Sequence, residues 1–217
     1  SRVICCRAAC KMSRAGREEI LIMSADGSGE PHELTTTTNL FKSPEQWIGE
    51  ALLFNDIGAA TYNDVWIAQG SGDTQPRPLL QTRFRETNPR ISPDGNWIAY
   101  DSDEAESNEV YIQSFPGLGH KLRVSRNGVF GPMWWMPGSN ELCFVNAAGD
   151  AVMSVSLKRN GAEIEPGDER VLFHLPPGTI SCDFAPDGRR ALVSVPIAGQ
   201  DLRKLRVILD WTGLVER

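Results

Sequence analysis

The 217-residue sequence has no apolar run near the roughly 20 residues that span a bilayer, and residues 1–11 lack the apolar segment of a signal peptide. Lys and Arg number 22 against 28 Asp and Glu, and no basic stripe reverses this acidic balance locally. Such a surface repels a phosphate backbone, so we expect neither nucleic acid nor membrane insertion of this segment. Because the chain does not begin with Met, we also expect it to be a piece of a longer protein.

Catalytic and metal-binding motifs are missing as well. There is no Gly-x-Ser-x-Gly elbow, no zinc-protease His pair and no glycine-rich phosphate loop. The acidic run 101–107 lacks the Gly and the final Glu of an EF-hand, which favours a solvated loop over a weak cation site. Cys5, Cys6 and Cys10 have no second ligand pair for zinc, and Cys143 and Cys182 fit small buried hydrophobic positions. We therefore expect no metal, no cofactor and no enzyme activity.

What the sequence does contain is an internal repeat of about 44 residues. Four copies of a strand-turn-strand motif start 44, 44 and 49 positions apart, at Trp47, Ile91, Trp135 and Phe184. A second motif recurs every 45 positions, in Glu19–Ile22, Asp64–Ile67 and Glu109–Ile112. Two motifs that share one period indicate a chain of similar structural units.

The third copy shows what each unit forms. Pro93-Asp94-Gly95 predicts a tight turn, because Pro presets φ, Asp bonds the local backbone and Gly accepts positive φ. Four short strands fit within each repeat, and no long window shows the 3.6-residue period of a helix. The sequence therefore predicts an all-β fold, a β-propeller of four-stranded antiparallel blades, as a single domain over 1–217. Five blades can be assigned, at 8–35 (incomplete), 44–82, 88–125, 132–174 and 179–212.

The repeats resemble a known family. Ser92-Pro-Asp-Gly95 with Ile98-Ala-Tyr-Asp-Ser102, and Asn108 to Pro116, are similar to the PD40 repeats of TolB-type propellers. They are also similar to propeller regions that follow bacterial serine/threonine kinase domains. The resemblance implies a periplasmic or other extracytoplasmic location. Because such propellers usually have six or more blades, this chain is expected to be either a fragment of a six-bladed ring or a five-bladed form.

Candidate binding residues come from one column of the repeat and from the loops between blades. Strand alternation places Trp135 in the core. Trp134, Arg90 and Asp183 occupy equivalent positions in successive repeats, and we expect this polar column to face the central channel of the propeller. Binding sites usually lie on loops held by a rigid scaffold. The predicted binding face therefore also includes the loop residues Arg83, Arg85, Arg126 and Phe130. No residue is predicted to be catalytic or to bind a metal.

These residues predict a non-enzymatic propeller that binds a ligand or protein, or acts as a scaffold, as the sensory or interaction part of a larger bacterial protein. One alternative is the accessory propeller of a prolyl-oligopeptidase-like hydrolase. Another is a small propeller enzyme that uses channel residues such as Asp183. Unclosed blade edges also predict a homo-oligomer, because an unpaired strand edge can pair with a second chain.

Overall fold

The computed structural model describes residues 7–14, 17–26, 28–34, 39, 41–58, 62–69, 75–160, 163–196 and 206–208. Within these ranges the secondary structure consists of eighteen β-strands arranged in five antiparallel sheets, without a helix. The described part accordingly has no helix that is long and apolar enough to cross a membrane. The all-β blade prediction is confirmed.

The first two sheets follow each other along the chain. The first has the order β1-β2-β3, with β1 Arg7–Arg14, β2 Arg17–Ser24 and β3 His32–Glu33. The second has the order β4-β5-β6-β7, with β4 Phe41–Ile48, β5 Ala51–Gly58, β6 Tyr62–Gln69 and β7 Arg77–Leu80. We call each sheet a blade and number the blades in chain order.

Blades three to five repeat this meander. Blade three contains β8 Glu86–Ile91, β9 Trp97–Ser102, β10 Glu109–Ser114 and β11 Lys121–Arg123. Blade four contains β12 Val129–Trp135, β13 Glu141–Asn146, β14 Ala151–Asn160 and β15 Glu163–His174. Blade five contains β16 Ser181–Phe184, β17 Ala191–Ser194 and β18 Arg206–Ile208. The predicted fifth blade, 179–212, extends at its end beyond the described residues.

The turns form as their residues predict. Gly95 has φ +74°, and the Asp94 carboxylate accepts hydrogen bonds from the Ser92 hydroxyl and the Asn96 amide. In blade five Gly188 has φ +67°, and a Cβ there would lie 2.9 Å from Cδ of Pro137. A side chain at Gly188 is therefore excluded both by backbone conformation and by the close approach of blade four. The interpretation of the Pro-Asp-Gly segments as turns is confirmed.

The chain divides into two compact units, one of residues 1–91 with 98–106 and the other of 92–97 with 107–217. In the first unit a buried apolar cluster joins β2 of blade one to β5 and β6 of blade two, and includes Ile20, Ile22, Leu52 and Phe54. In the second unit a cluster between blades four and five includes Cys143, Val152, Phe173, Cys182 and Val193. Whether residues 1–217 form one domain stays a prediction.

The acidic residue of the second repeat motif also has a structural role. It lies at or near the start of the third strand, except in blade one, where it lies in β2, and it binds a polar group farther along the chain. Glu19 pairs with Lys42 at 3.3 Å, and Asp64 accepts a hydrogen bond of 2.8 Å from Gln81. Glu109, which is 1% exposed, accepts from the Arg123 guanidinium at 3.0 Å. Glu19 therefore bonds to the first strand of the next blade, Asp64 to the linker after its blade, and Glu109 to the last strand of its own blade.

Candidate functional site

An apolar groove of about 500 Å³ lies in the second unit, where blade four meets the start of blade five. Three stretches line it, namely the start of β12, the turn between β13 and β14, and the segment that leads into β16. We call this cavity the groove; its lining is Phe130, Gly131, Pro132, Val145, Ala147, Ala148, Gly149, Leu175, Gly178, Thr179, Ile180, Ser181 and Cys182. All of these side chains are uncharged, so the groove offers apolar surface and backbone polar groups.

The tight turn between β13 and β14 forms one wall of the groove. The Asn146 side chain holds this turn, because its amide donates to the Asp150 carboxylate at 2.8 Å and its oxygen accepts from the Asp150 and Ala151 N–H groups at 3.1 Å. Gly149 has φ +72°, and a Cβ there would lie 3.8 Å from the Phe130 ring. The turn therefore supports the side of the Phe130 ring, while 67% of that residue remains exposed.

The segment after β15 forms another part of the lining. The Leu175 N–H donates to the Asp150 carbonyl at 2.7 Å, and the Thr179 hydroxyl donates to the Pro176 carbonyl at 2.6 Å. The Ile180 N–H then donates to the Ser194 carbonyl at 2.8 Å. These bonds fix the backbone and leave the Ile180 side chain 68% exposed. Two large exposed apolar residues, Phe130 and Ile180, thus line one preformed groove.

The Trp134–Asp183 pair lies on the first strands of the same two blades. The indole Nε1 of Trp134 donates to Oδ1 of Asp183 at 2.9 Å, and the Trp134 ring meets the Phe184 ring edge-on with centroids 5.1 Å apart. Trp134 is half-buried and packs against the apolar cluster of blades four and five. The predicted column thus brings Trp134 and Asp183 together, but one part of Trp134 belongs to the core. Trp135, which strand alternation assigns to the core, is likewise half-buried, and the regular pairing of Met133, Trp134 and Trp135 with β13 keeps the two Trp side chains on opposite faces of the blade.

The groove does not supply an activated nucleophile from its cysteine. Burial raises the pKa of the Cys182 thiol to about 11. In the adjoining core, burial raises the pKa of Cys143 to about 12. Thiols with such values are protonated at neutral pH, and the interpretation of both residues as small buried hydrophobic groups is confirmed.

Comparisons with known proteins support the fold. The chain has a TM-score of 0.60 to a protein assigned as TolB from Agrobacterium tumefaciens, with 20% identity, over 78% of this chain and 62% of that one. It has a TM-score of 0.67 to TolB from Acinetobacter baumannii, with 13% identity, over 90% of this chain and 48% of that one. The chain has a TolB-like β-propeller fold.

A propeller-containing enzyme is also similar in structure. A puromycin-hydrolyzing peptidase from Mycobacterium tuberculosis matches with a TM-score of 0.63 and 13% identity, over 88% of this chain and 33% of that one. The TolB-like chain therefore spans less than two thirds of the length of each of these structures. No family model and no curated protein sequence matches it.

The other predicted binding residues, apart from Phe130, are not among the residues that line the groove. Arg90 pairs with Glu45 at 2.9 Å, so the neighbouring first strands β4 and β8 are joined by an ion pair. Arg83 stacks 4.8 Å from the centroid of the adjacent Phe84 ring, and the Arg85 N–H donates to Asp103. These contacts show local structural roles, and a ligand-binding role for Arg83, Arg85 and Arg90 stays a prediction.

Arg126 lies on the segment that leads from blade three into blade four. Its side chain is exposed, and its N–H donates to the Glu169 carboxylate. The neighbouring Asn127 amide donates to the same carboxylate at 2.9 Å. The two bonds attach the linker to β15, while ligand binding by the Arg126 side chain stays a prediction.

Of the residues considered for metal binding, Cys5 and Cys6 lie outside the described residues. Within the described ranges, no three His, Cys, Asp or Glu side chains lie close enough to hold a metal ion. In the predicted acidic loop, Asp101 is buried at the end of β9 and accepts from the Thr87 hydroxyl at 3.0 Å. Asp101 therefore belongs to the strand that precedes the loop. The run 101–107 is not solvated throughout, which corrects that interpretation.

Sequence reasoning found Phe130 but missed Ile180 and the turn at Asn146–Asp150. Ile180 follows Pro-Pro-Gly in an irregular segment, where no strand periodicity indicates burial or exposure. An available signal was Asn146-Ala-Ala-Gly149, since Asn and Gly at these positions favour a tight turn.

Proposed function

We propose that this TolB-like propeller is a non-enzymatic binding module, and that the groove is where it takes a partner protein. The observation that carries the proposal is the exposure of two large apolar residues, Phe130 at 67% and Ile180 at 68%, in the lining of a preformed cavity. Exposed apolar surface that flanks a concave site is typical of protein and ligand recognition.

The rigidity of the groove supports this proposal. Both parts of the lining are fixed by backbone and side-chain hydrogen bonds, at Asn146 and at Thr179. A preformed site binds with a smaller loss of conformational entropy than a site that must first become ordered. The apolar groove can contribute affinity through burial, at about 25 cal/mol for each Å² of apolar surface removed from water.

Display selection can test this proposal. A random nine-residue peptide library would be selected on the wild-type protein, and the recovered peptides measured on the double variant Phe130→Ser, Ile180→Thr. Because both side chains are mostly exposed, we expect the double variant to keep its unfolding midpoint and to bind at least tenfold more weakly. The matched control is the exposed pair Tyr62→Ser, Val171→Thr, which is expected to bind as the wild type does.

Two outcomes would contradict the proposal. One is that the selected peptides bind the groove variant as tightly as they bind the wild type. The other is cleavage of the peptides by the purified chain, which would support the alternative of a small propeller enzyme.

The resemblance of the repeats to kinase-linked propellers supports a wider proposal, namely that the chain is the extracytoplasmic sensory part of a larger bacterial protein. The sequence of the DNA upstream of the Ser1 codon tests it. We expect an open frame that continues into further blades, a membrane span and a kinase domain. A stop codon directly upstream of a start codon near Ser1 would contradict it.

A further inference from the structure

The Asp183 carboxylate beside the groove is held in one orientation. Its Oδ1 accepts two hydrogen bonds, from the Trp134 indole at 2.9 Å and from the Phe184 N–H at 2.8 Å. Neither bond uses Oδ2, and the Asp183 side chain is exposed. Two donors on one oxygen therefore orient the carboxylate in advance, which lowers the entropic cost of pairing it with a ligand.

Asp183 lies close to the groove along β16. Ser181 lines the groove, and both Ser181 and Asp183 are exposed, while Cys182 between them is buried. Alternate residues of a strand share one face and lie about 7 Å apart along the chain. The Cα atoms of Asp183 and Ser181 are thus about 7 Å apart, on the same face of β16.

The charges indicate which ligand fits. The groove is lined entirely by uncharged residues, and the carboxylates that adjoin it are Asp183 on β16 and Asp150, which is bonded to the Asn146 amide, in a chain whose net charge is −6. Side chains two residues apart in an extended peptide have the same spacing of about 7 Å.

We propose that the groove takes an extended peptide segment of a partner protein that carries an apolar side chain and, two positions away, Lys or Arg. The apolar side chain enters the groove between Phe130 and Ile180, and the cation pairs with Oδ2 of Asp183. This inference rests on the proposed function, and adds to it the charge and spacing of the bound segment.

The test uses three synthetic peptides, acetyl-Gly-Leu-Ser-Arg-Gly-amide and its forms with Gln or Glu in place of Arg. Each is titrated into the ¹⁵N-labelled chain at 50 mM and 300 mM NaCl, and followed by the Trp134 indole N–H resonance, identified with Trp134→Phe. We expect the Arg peptide to bind about two- to fivefold more tightly than the Gln peptide at low salt, as for an exposed ion pair. The Glu peptide is expected to bind more weakly than both, and the differences to shrink at high salt.

Asp183→Asn provides the decisive variant, because Asn keeps an oxygen for the Trp134 indole and removes the charge. We expect it to bind the Arg and Gln peptides equally. Asp187→Asn is the matched control, since Asp187 is an exposed carboxylate of the same blade whose contacts are local to its turn, and it should keep the preference for Arg. A preference that survives in Asp183→Asn, or that is absent from the wild type, would overturn the inference.

A parallel titration of Phe130→Ser separates this inference from the proposed function. If Phe130→Ser weakens all three peptides while the wild type shows no preference for Arg, the groove binds but the charge assignment is wrong. If Phe130→Ser leaves all three titrations unchanged, the groove is not the binding surface and both proposals are wrong.

Discussion

Two junctions connect blade four to its neighbours along the chain: the entry, between blades three and four, and the exit, between blades four and five. The two linkers are held by different kinds of contact. At the entry, Glu109 is buried and accepts hydrogen bonds from Ser107 and Arg123 at 3.0 Å, from the Ser125 hydroxyl, and from the Gly128 N–H at 3.2 Å. At the exit, Ala151 stands where Glu109 does, as the first residue of the third strand, and the adjoining linker lines the groove. The entry is filled by a polar network, and the exit leaves apolar surface open.

This difference indicates which junction has a structural role and which one leaves surface for a partner. A buried carboxylate needs several donors, and these occupy the linker at the entry and fix its path. An alanine does not need such donors, and at the exit the chain is held by backbone bonds, the Asn146 turn and the Thr179 hydroxyl. The repeat unit that departs from the motif is therefore the one that carries the candidate site.

The largest expected effect is at the entry. Glu109→Ala removes the acceptor of several buried donors, and we expect the free energy of unfolding to fall by about 3 kcal/mol. Urea unfolding measures it, with the exposed Glu165→Ala as a control that is expected to change stability by less than about 0.5 kcal/mol. Equal effects of the two variants would show that the network at the entry is not structural.

A slightly smaller effect concerns the groove lining. Since burial raises the Cys182 pKa from 9.0 to about 11, we expect iodoacetamide at pH 8 to alkylate Cys182 roughly a hundredfold more slowly than in the urea-unfolded chain. Mass spectrometry of the peptide that contains Cys182 gives the rate. Rapid alkylation of the native chain would show that water reaches the thiol through the groove.

A charge introduced at the exit tests whether the two junctions of blade four differ. Ala151 is 1% exposed, and Ala151→Asp places a carboxylate there without the donors that surround Glu109. We expect a loss of about 2 kcal/mol in urea unfolding at pH 7, and a smaller loss at pH 3, where Asp is protonated. Ala151→Ser, which is similar in size and uncharged, is the control. A stable Ala151→Asp variant would show that the two junctions are equivalent.

The smallest expected effect lies in the turn of blade three. The Arg159 guanidinium holds the pKa of Asp94 well below its usual range, and the Asp94 side chain is about a third exposed (32%). Because the folded pKa is lowered, the stabilisation is present above about pH 4 and is lost as the pH falls through the folded pKa. We expect Asp94→Asn to lose at most about 1 kcal/mol at pH 7, and the difference from the wild type to narrow below about pH 4. A difference that does not change with pH would contradict a role for the Asp94 charge.

Much of the fold could be predicted from the sequence, because strands, turns and repeat period depend on local residue types. Pro93-Asp94-Gly95 and the apolar runs specify the strands and turns with little influence from distant residues. The partial burial of Trp134 could not be predicted, since it depends on the Phe184 ring and the apolar cluster of blades four and five rather than on the alternation within β12. Ile180 was missed for a related reason, because its exposure depends on the bond from its N–H to Ser194 rather than on any pattern around it.

The central claim is that blade four binds at its exit and is held at its entry. The most direct test is a titration of the chain, labelled at Ile and Ala methyl groups, with acetyl-Gly-Leu-Ser-Arg-Gly-amide. The account predicts shifts at Ile180, Ala147 and Ala148 in the groove, and none at Ile112, which is buried in blade three. Shifts at Ile112 with none at Ile180, or no shift at any methyl group, would contradict it.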